Sequence, residues 1–236
     1  MNYQSIILGA SSPANFGETN FKKCRFLVGG NKSLTELSIE NHEVSSKIIV
    51  SLNPEDYDYF QDSSFGSGAR YLKISRPTQG ALATAGMCLD ALTSEDPIIV
   101  SAIDGICLNQ IARFFHSMQE GNFDGGAIVF SSINPSYCYV RVNGGVPIEF
   151  AEKRRIGDLA SAGVYYFKNK RFLEESILWA ILNQAKVNDQ YYFSSAMNKL
   201  IFENRRIGLF GIDENNYYRF STESDAIASR MRLKEV

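Results

Sequence analysis

The stretch RPTQGALATAGMCLDALTSEDPIIVSAID, residues 76 to 104, decides how the chain is read. It opens on a turn-rich segment, Arg76-Pro77-Thr78-Gln79-Gly80, and runs into an amphipathic helical segment over residues 79 to 93. After a short turn, the apolar run from Pro97 to Ile103 ends on a single carboxylate, Asp104. A short run with β-branched residues, bounded by turn residues, reads as a buried parallel strand. In open α/β sheets ligands bind beyond the carboxyl ends of such strands, so Asp104 stands where chemistry is usually placed. A carboxylate there can hold a divalent metal that bridges phosphate oxygens. The competing reading is a turn or N-cap aspartate, since Asp104-Gly105 is also a turn signal. Spacing alone does not separate the two.

Moving toward the N-terminus from this stretch, the same alternation recurs. Ser5 to Ala10, SIILGA, reads as a first buried strand, followed by a polar stretch from Ser11 to Lys23. Ser33 to His42 is a short helix whose Ser33 and Glu36 make a capping-box pattern. Lys47 to Leu52 is a second strand, and Pro54 to Gln61 a helix with proline in its first turn. Tyr71 to Ser75 makes a third, shorter strand. Strands alternating with helices imply an α/β fold, a single Rossmann-like domain over residues 1 to 236 with a mostly parallel (mixed) central sheet flanked by helices.

Toward the C-terminus the character changes. Leu108 to Gly121 is a helix and Gly126 to Phe130 a fifth strand. Tyr137 to Val142 and Val146 to Phe150 flank Asn143-Gly144-Gly145, a strong hairpin signal. Ser161 to Phe167 is another strand, in which Tyr165 and Tyr166 must face opposite sides, one to a pocket and one to the core. Helices are expected over Phe172 to Ala185, Tyr192 to Asn204 and Thr222 to Arg230, with a late strand from Ile207 to Ile212.

Composition bounds the function. A net charge of −2 gives no polybasic field, so no nucleic-acid or membrane-surface partner is implied. No run approaches the roughly 18 apolar residues that a membrane span needs, and no signal peptide is seen, so the expected compartment is cytoplasmic. The four cysteines, Cys24, Cys88, Cys107 and Cys138, are too dispersed for a metal pair.

Taken in order, these segments resemble the sugar-phosphate nucleotidylyltransferases, the glucose-1-phosphate thymidylyltransferase-like enzymes that make nucleotide sugars. PTQGALATA at 77 to 85 is similar to the family's base-contacting loop and helix, and VSAID at 100 to 104 to the strand that ends on its metal-binding aspartate. FAEK at 150 to 153 is similar to its Glu-Lys pair, SAGVYYF at 161 to 167 to its sugar-pocket strand, and DQYYFSSAMNKLI at 189 to 201 to a late motif that supplies a second metal ligand. The resemblance covers about Tyr3 to Ala228. It implies catalytic roles for Lys23, Arg25 and Asp104, nucleotide binding by Gly9, Ala10, Gln79 and Gly80, and sugar-phosphate binding by Glu152, Lys153, Gly163 and Tyr165. It further implies Mg²⁺ held by Asp104 and Asn198. The partners would be a nucleoside triphosphate and a sugar-1-phosphate, with a homodimer as a candidate assembly and surface polysaccharide as the destination of the product.

One part departs from the family. Its N-terminal signature is a Gly-rich loop with an arginine, followed by a lysine-proline pair that serves the triphosphate. Here the loop reads GASSPANFGETN and the later segment FKKCRFLVGGNKSL. Pro13 lacks an N–H and fixes its φ, so residues 11 to 25 are not expected to form a tight anion-binding loop. Lys22, Lys23 or Arg25 could supply the cation instead. Phosphoryl transfer depends on positioning and charge stabilisation, so each lost contact matters. Without the family context, Glu152-Lys153 reads equally as a solvated hairpin end and Asn198 as a plain helix residue. Three functions follow: an active nucleotidylyltransferase, a degenerate relative that binds nucleotide, sugar phosphate or a partner without turnover, and a glycosyltransferase. The last usually carries Asp-x-Asp, and Asp104 is followed by Gly105-Ile106.

Overall fold

The computed structural model describes residues 2–10, 22–61 and 68–233. The first half supplies β1 (Gln4–Leu8), β2 (Leu27–Gly29), β3 (Lys32–Ser33), α1 (Leu34–Asn41), β4 (Lys47–Leu52), α2 (Pro54–Phe60), β5 (Ala69–Lys73), α3 (Ala81–Met87) and β6 (Ile98–Ala102). The second half supplies β7 (Gly105–Cys107), α4 (Ile111–Glu120), β8 (Gly125–Ser131), β9 (Cys138–Asn143), β10 (Val146–Glu152), β11 (Leu159–Phe167), α5 (Lys170–Leu182), β12 (Lys186–Val187), β13 (Gln190–Tyr191), α6 (Phe193–Phe202), β14 (Ile207–Gly211), β15 (Tyr217–Arg219) and α7 (Glu223–Leu233). No helix among the described residues is long and apolar enough to cross a membrane.

Nine strands share one sheet, with the path β10-β9-β11-β6-β1-β4-β5 and β8 joining β11 to β14. The run β6-β1-β4-β5 is parallel throughout, as strand-helix alternation demands. The long strand β11 then pairs antiparallel with β6, β8 and β9, so the sheet is mixed. Period-two alternation sends Ile6, Val100, Tyr165 and Phe167 to the face covered by α3, α5 and α6. Ile7 and Val50 face α1 and α7, while Ile99, Ile128 and Tyr166 face α4. Each such large side chain contributes about 1.5–3 kcal/mol when fully buried.

The local signals act as their chemistry requires. Ser33 Oγ accepts from Glu36 N while the Glu36 carboxylate accepts from Ser33 N, closing the capping box of α1. Asn53 caps α2 through Asp56 N, with Pro54 at the first helical position. The helix expected to reach residue 93 stops at Met87, just after Gly86, which packs close to Ile177 of α5, and continues as a 3₁₀ turn over Leu89–Ala91. Three pairings carry no strong sequence signal: β2 with β3, β12 with β13, and β7 with β15. The last two frame the cleft described next.

Candidate active site

Asp104 follows the carboxyl end of β6, at the edge between its parallel neighbour β1 and its antiparallel neighbour β11. β7 leaves at once to pair with β15, and the Asp104 carbonyl accepts from Phe220 N at 2.7 Å. The backbone is thus held on the far side while the carboxylate faces a cleft. Lys23 Nζ lies 3.2 Å from both carboxylate oxygens. The Lys23 side chain is 7% exposed and that of Asp104 36%, so a buried cation supports a carboxylate that water and ligands can still reach.

Of the three N-terminal cations considered, only Lys23 reaches this carboxylate. Lys22 pairs with Glu55 at 2.7 Å. Arg25, expected as a catalytic cation, does not come to the cleft. Its Nε donates to Asp56 Oδ1 at 2.7 Å, its Nη2 donates to the Glu55 carbonyl at 2.6 Å, and the guanidinium stands over the Tyr59 ring. The reason is geometric: on the 3₁₀ turn Lys23–Arg25, residues two apart point to different sides, and Cys24 between them donates inward to the Gly9 carbonyl. The loop expectation for residues 11 to 21 lies outside the described residues.

One lobe of the cleft, about 400 Å³, is lined by Ala10, Gly80, Thr84, Asp104, Lys153 and Tyr192 among others. Gly80 has φ +103°, and a Cβ there would stand 2.5 Å from the Tyr191 carbonyl oxygen, so only glycine lets β13 cross above the turn. Gln79 does not line the lobe; its carbonyl accepts from Tyr191 N at 2.7 Å and fixes that crossing. Gly9 is wedged against Ser51 and Leu52 of β4, and its neighbour Ala10 is the residue that lines the lobe.

The second lobe, about 240 Å³, shares Asp104 and Tyr192 with the first and adds Glu152, Gly163 and Tyr165. Gly163, at φ +77°, sits where the register of β11 against β8 shifts between Ser161 and Tyr165. This irregularity opens the strand toward the lobe. Tyr165 lines the lobe and stacks on Phe193 at 4.8 Å, while Tyr166 is buried opposite, its hydroxyl accepting from Gln119. Burial pushes the Glu152 carboxyl up to about 7, against the opposing pull of Lys153. Lys153 follows the end of β10 with φ +52°, a conformation uncommon for a residue with a side chain, and its Nζ donates to Tyr192 Oη at 2.9 Å. Tyr192 Oη in turn donates to Gln190 at 3.0 Å. Tyr192 lines both lobes but was not singled out by the sequence reading, which placed it at the first position of an expected helix and inside the motif at 189 to 201.

Asn198 is not brought to the cleft. Its Oδ1 accepts from Phe150 N and its Nδ2 donates to the Phe150 carbonyl, both at 2.8 Å. Among the described residues β10 is an edge strand, and the Asn198 amide pairs with Phe150's outward backbone groups where a neighbouring strand otherwise would. Asn198 lines a separate hollow with Trp179 and Ser195. The expected pair of metal donors, Asp104 and Asn198, therefore does not fit Mg²⁺, and no group of three or more His, Cys, Asp or Glu is poised for a metal among the described residues. Asp104 alone still fits the common arrangement in which one carboxylate and substrate phosphate oxygens hold Mg²⁺.

No protein-family model and no curated protein matches the chain. Solved structures do. A nucleoside-diphosphate-sugar pyrophosphorylase from Vibrio cholerae is similar with a TM-score of 0.82 at 18% identity, covering 97% of this chain and 99% of its own. An apo UDP-glucose pyrophosphorylase gives 0.77 at 12% identity, with 100% and 99% covered. An inositol-1-phosphate CTP transferase from T. maritima gives 0.73 at 11% identity, with 98% and 96% covered. At such identities the likeness is one of fold, and it runs the length of the chain: this protein has the sugar-phosphate nucleotidylyltransferase-like fold.

Proposed function

We propose that the protein is a nucleotidylyltransferase that joins a nucleoside triphosphate to a sugar-1-phosphate, giving a nucleotide-activated sugar and pyrophosphate. The observation that carries this is the meeting of Asp104, Gly80 and Lys153 around one cleft, with Lys23 paired to the Asp104 carboxylate, although the four are far apart in sequence. The fold neighbours that act on nucleotides and sugar or inositol phosphates support the same class.

On this reading an oxygen of the sugar phosphate attacks the α-phosphorus in line, a P–O bond forms, and the bond to the β-phosphate breaks to release pyrophosphate. The Gly80 turn takes the nucleotide end. Lys153, a point charge on the wall of the first lobe, pairs with the sugar phosphate, and Tyr192 holds its ammonium until substrate arrives. Lys23 neutralises charge on the triphosphate. Glu152 accepts from sugar hydroxyls and Gly163 lets the ring approach. Asp104 is the residue that would hold Mg²⁺, which when bound supplies charge neutralisation between the two phosphates. Because both substrates are cytoplasmic metabolites, the reading carries the cytoplasm as its compartment and surface polysaccharide as an outlet.

A second reading, a binding protein without turnover, is favoured by two observations: Asp104 already faces Lys23, and Asn198 is spent on Phe150. Pyrophosphate release measured with Mg²⁺ across the common triphosphates and sugar-1-phosphates separates the two. Turnover with one pair is expected. Saturable binding of both ligands without release of pyrophosphate would establish the second reading.

A further inference from the structure

The second lobe holds a cation that the chemistry above does not use. Arg219, the last residue of β15, lines it on the wall shared with Ser136, Tyr137 and Ser221, while Asp104 and Glu152 line the rest. Its guanidinium carbon stands 4.8 Å from the centre of the Tyr137 ring, and Nη2 donates to Ser136 Oγ at 3.1 Å. Nε lies 3.3 Å from Asp225 Oδ2, an ion-pair distance, yet it is buried and has no aligned acceptor among the described residues. That Asp225 oxygen also accepts from Thr222 N as part of the cap of α7, so it is shared. Arg219 is thus stacked on Tyr137 and oriented by Ser136 and Asp225, with its buried Nε left without an aligned acceptor among the described residues.

On the reading above, Glu152 already serves the sugar hydroxyls of this lobe and Asp104 the metal. A guanidinium on the other wall can donate single bonds to hydroxyl oxygens, but its planar fork matches a carboxylate or phosphate two bonds at a time, which a hydroxyl cannot accept. We propose that Arg219 makes this lobe select a phosphorylated sugar bearing a second negative group, either a ring carboxylate or a second phosphate. The inference rests on the sugar-phosphate reading of the cleft.

Isothermal titration of the whole chain with glucose 1-phosphate, glucuronic acid 1-phosphate and glucose 1,6-bisphosphate tests it, and the two acidic arms tell carboxylate from phosphate. At least one acidic ligand is expected to bind about tenfold more tightly than glucose 1-phosphate, the gain of one charge-assisted contact. Arg219→Gln should bring all three to within about threefold, and Arg219→Lys, which keeps charge without the fork, should fall between. Equal binding of all three by the unmodified protein overturns this inference alone and needs no variant. So does a preference that survives Arg219→Gln. Binding of none of the three overturns the sugar-phosphate reading with it.

Discussion

Lys23 and Arg25 stand two residues apart on one 3₁₀ turn, and each meets an aspartate, yet the two pairs are built for different ends. Arg25 spends its fork: Nε on Asp56, Nη2 on the Glu55 carbonyl, its plane on Tyr59. Asp56 is wholly buried and also accepts from Asn53 Nδ2 at 2.6 Å. Such a pair locks the turn to α2. The Lys23 ammonium instead sits at 3.2 Å from both oxygens of Asp104, longer than the roughly 2.7–2.9 Å of a tight charge-assisted bond. A loose contact on a reachable carboxylate can be exchanged for a ligand. The short, saturated pair cannot, and that contrast separates a site from a clasp.

The contrast is sharpest in the aspartates. Asp104→Asn should lower pyrophosphate release by about 1000-fold, because the loss falls on charge stabilisation; the amide keeps an oxygen that can accept from Lys23, so the cost in stability should stay below that of Asp56→Ala. Asp56→Ala should do the reverse. Leaving Arg25 without its buried partner costs about 3–5 kcal/mol in urea unfolding, while kcat/KM of the folded fraction stays within about threefold. If the two variants behaved alike, the distinction between site and clasp would dissolve.

Asn198 sits on the clasp side of this comparison. Asn198→Ala removes two hydrogen bonds and strands the Phe150 N–H, so a loss of about 1–3 kcal/mol is expected in the same unfolding measurement. The Mg²⁺ concentration needed for half-maximal turnover should not move. A large rise in it would restore Asn198 as a metal ligand.

Glu152 gives the smallest effect. Its carboxyl is raised from 4.5 to about 7 by burial, so the fold favours its neutral form. That contribution is fully present below the unfolded value of 4.5 and is lost as pH rises through about 7. Thermal melts from pH 5 to 8 should therefore show a fall of a few degrees that Glu152→Gln flattens. Affinity for sugar phosphate should rise over the same range as the carboxylate forms. A melting temperature that climbs with pH, and climbs equally in Glu152→Gln, would show that the group is not held neutral.

Most of the parallel half was legible because its signals are local. Apolar runs such as Lys47–Leu52, the Ser33 capping box and the proline at the start of α2 fix element type without help from the rest of the chain. The place of Asp104 beyond the end of β6 was legible for the same reason, while spacing alone did not separate a ligand from a turn residue there. What escaped depends on contacts between distant segments. The two-residue strands β12 and β13 carry no periodicity, yet β13 crosses the Gly80 turn and brings Tyr192 to Lys153. Asn198 matches a motif in sequence, but whether its amide faces a cleft or an edge strand is decided by where β10 ends up. The choice between Lys23 and Arg25 likewise needs the phase of a 3₁₀ turn, which no pattern of hydrophobicity reports.

Lys23→Ala and Arg25→Ala, measured side by side for pyrophosphate release and for thermal stability, test the account most directly. Lys23→Ala should reduce kcat/KM by about 100- to 1000-fold and shift the melting temperature by only a few degrees. Arg25→Ala should leave kcat/KM within about threefold and lose several kcal/mol of stability, since Asp56 would remain buried without its counter-charge. Turnover lost in Arg25→Ala and intact in Lys23→Ala would contradict it.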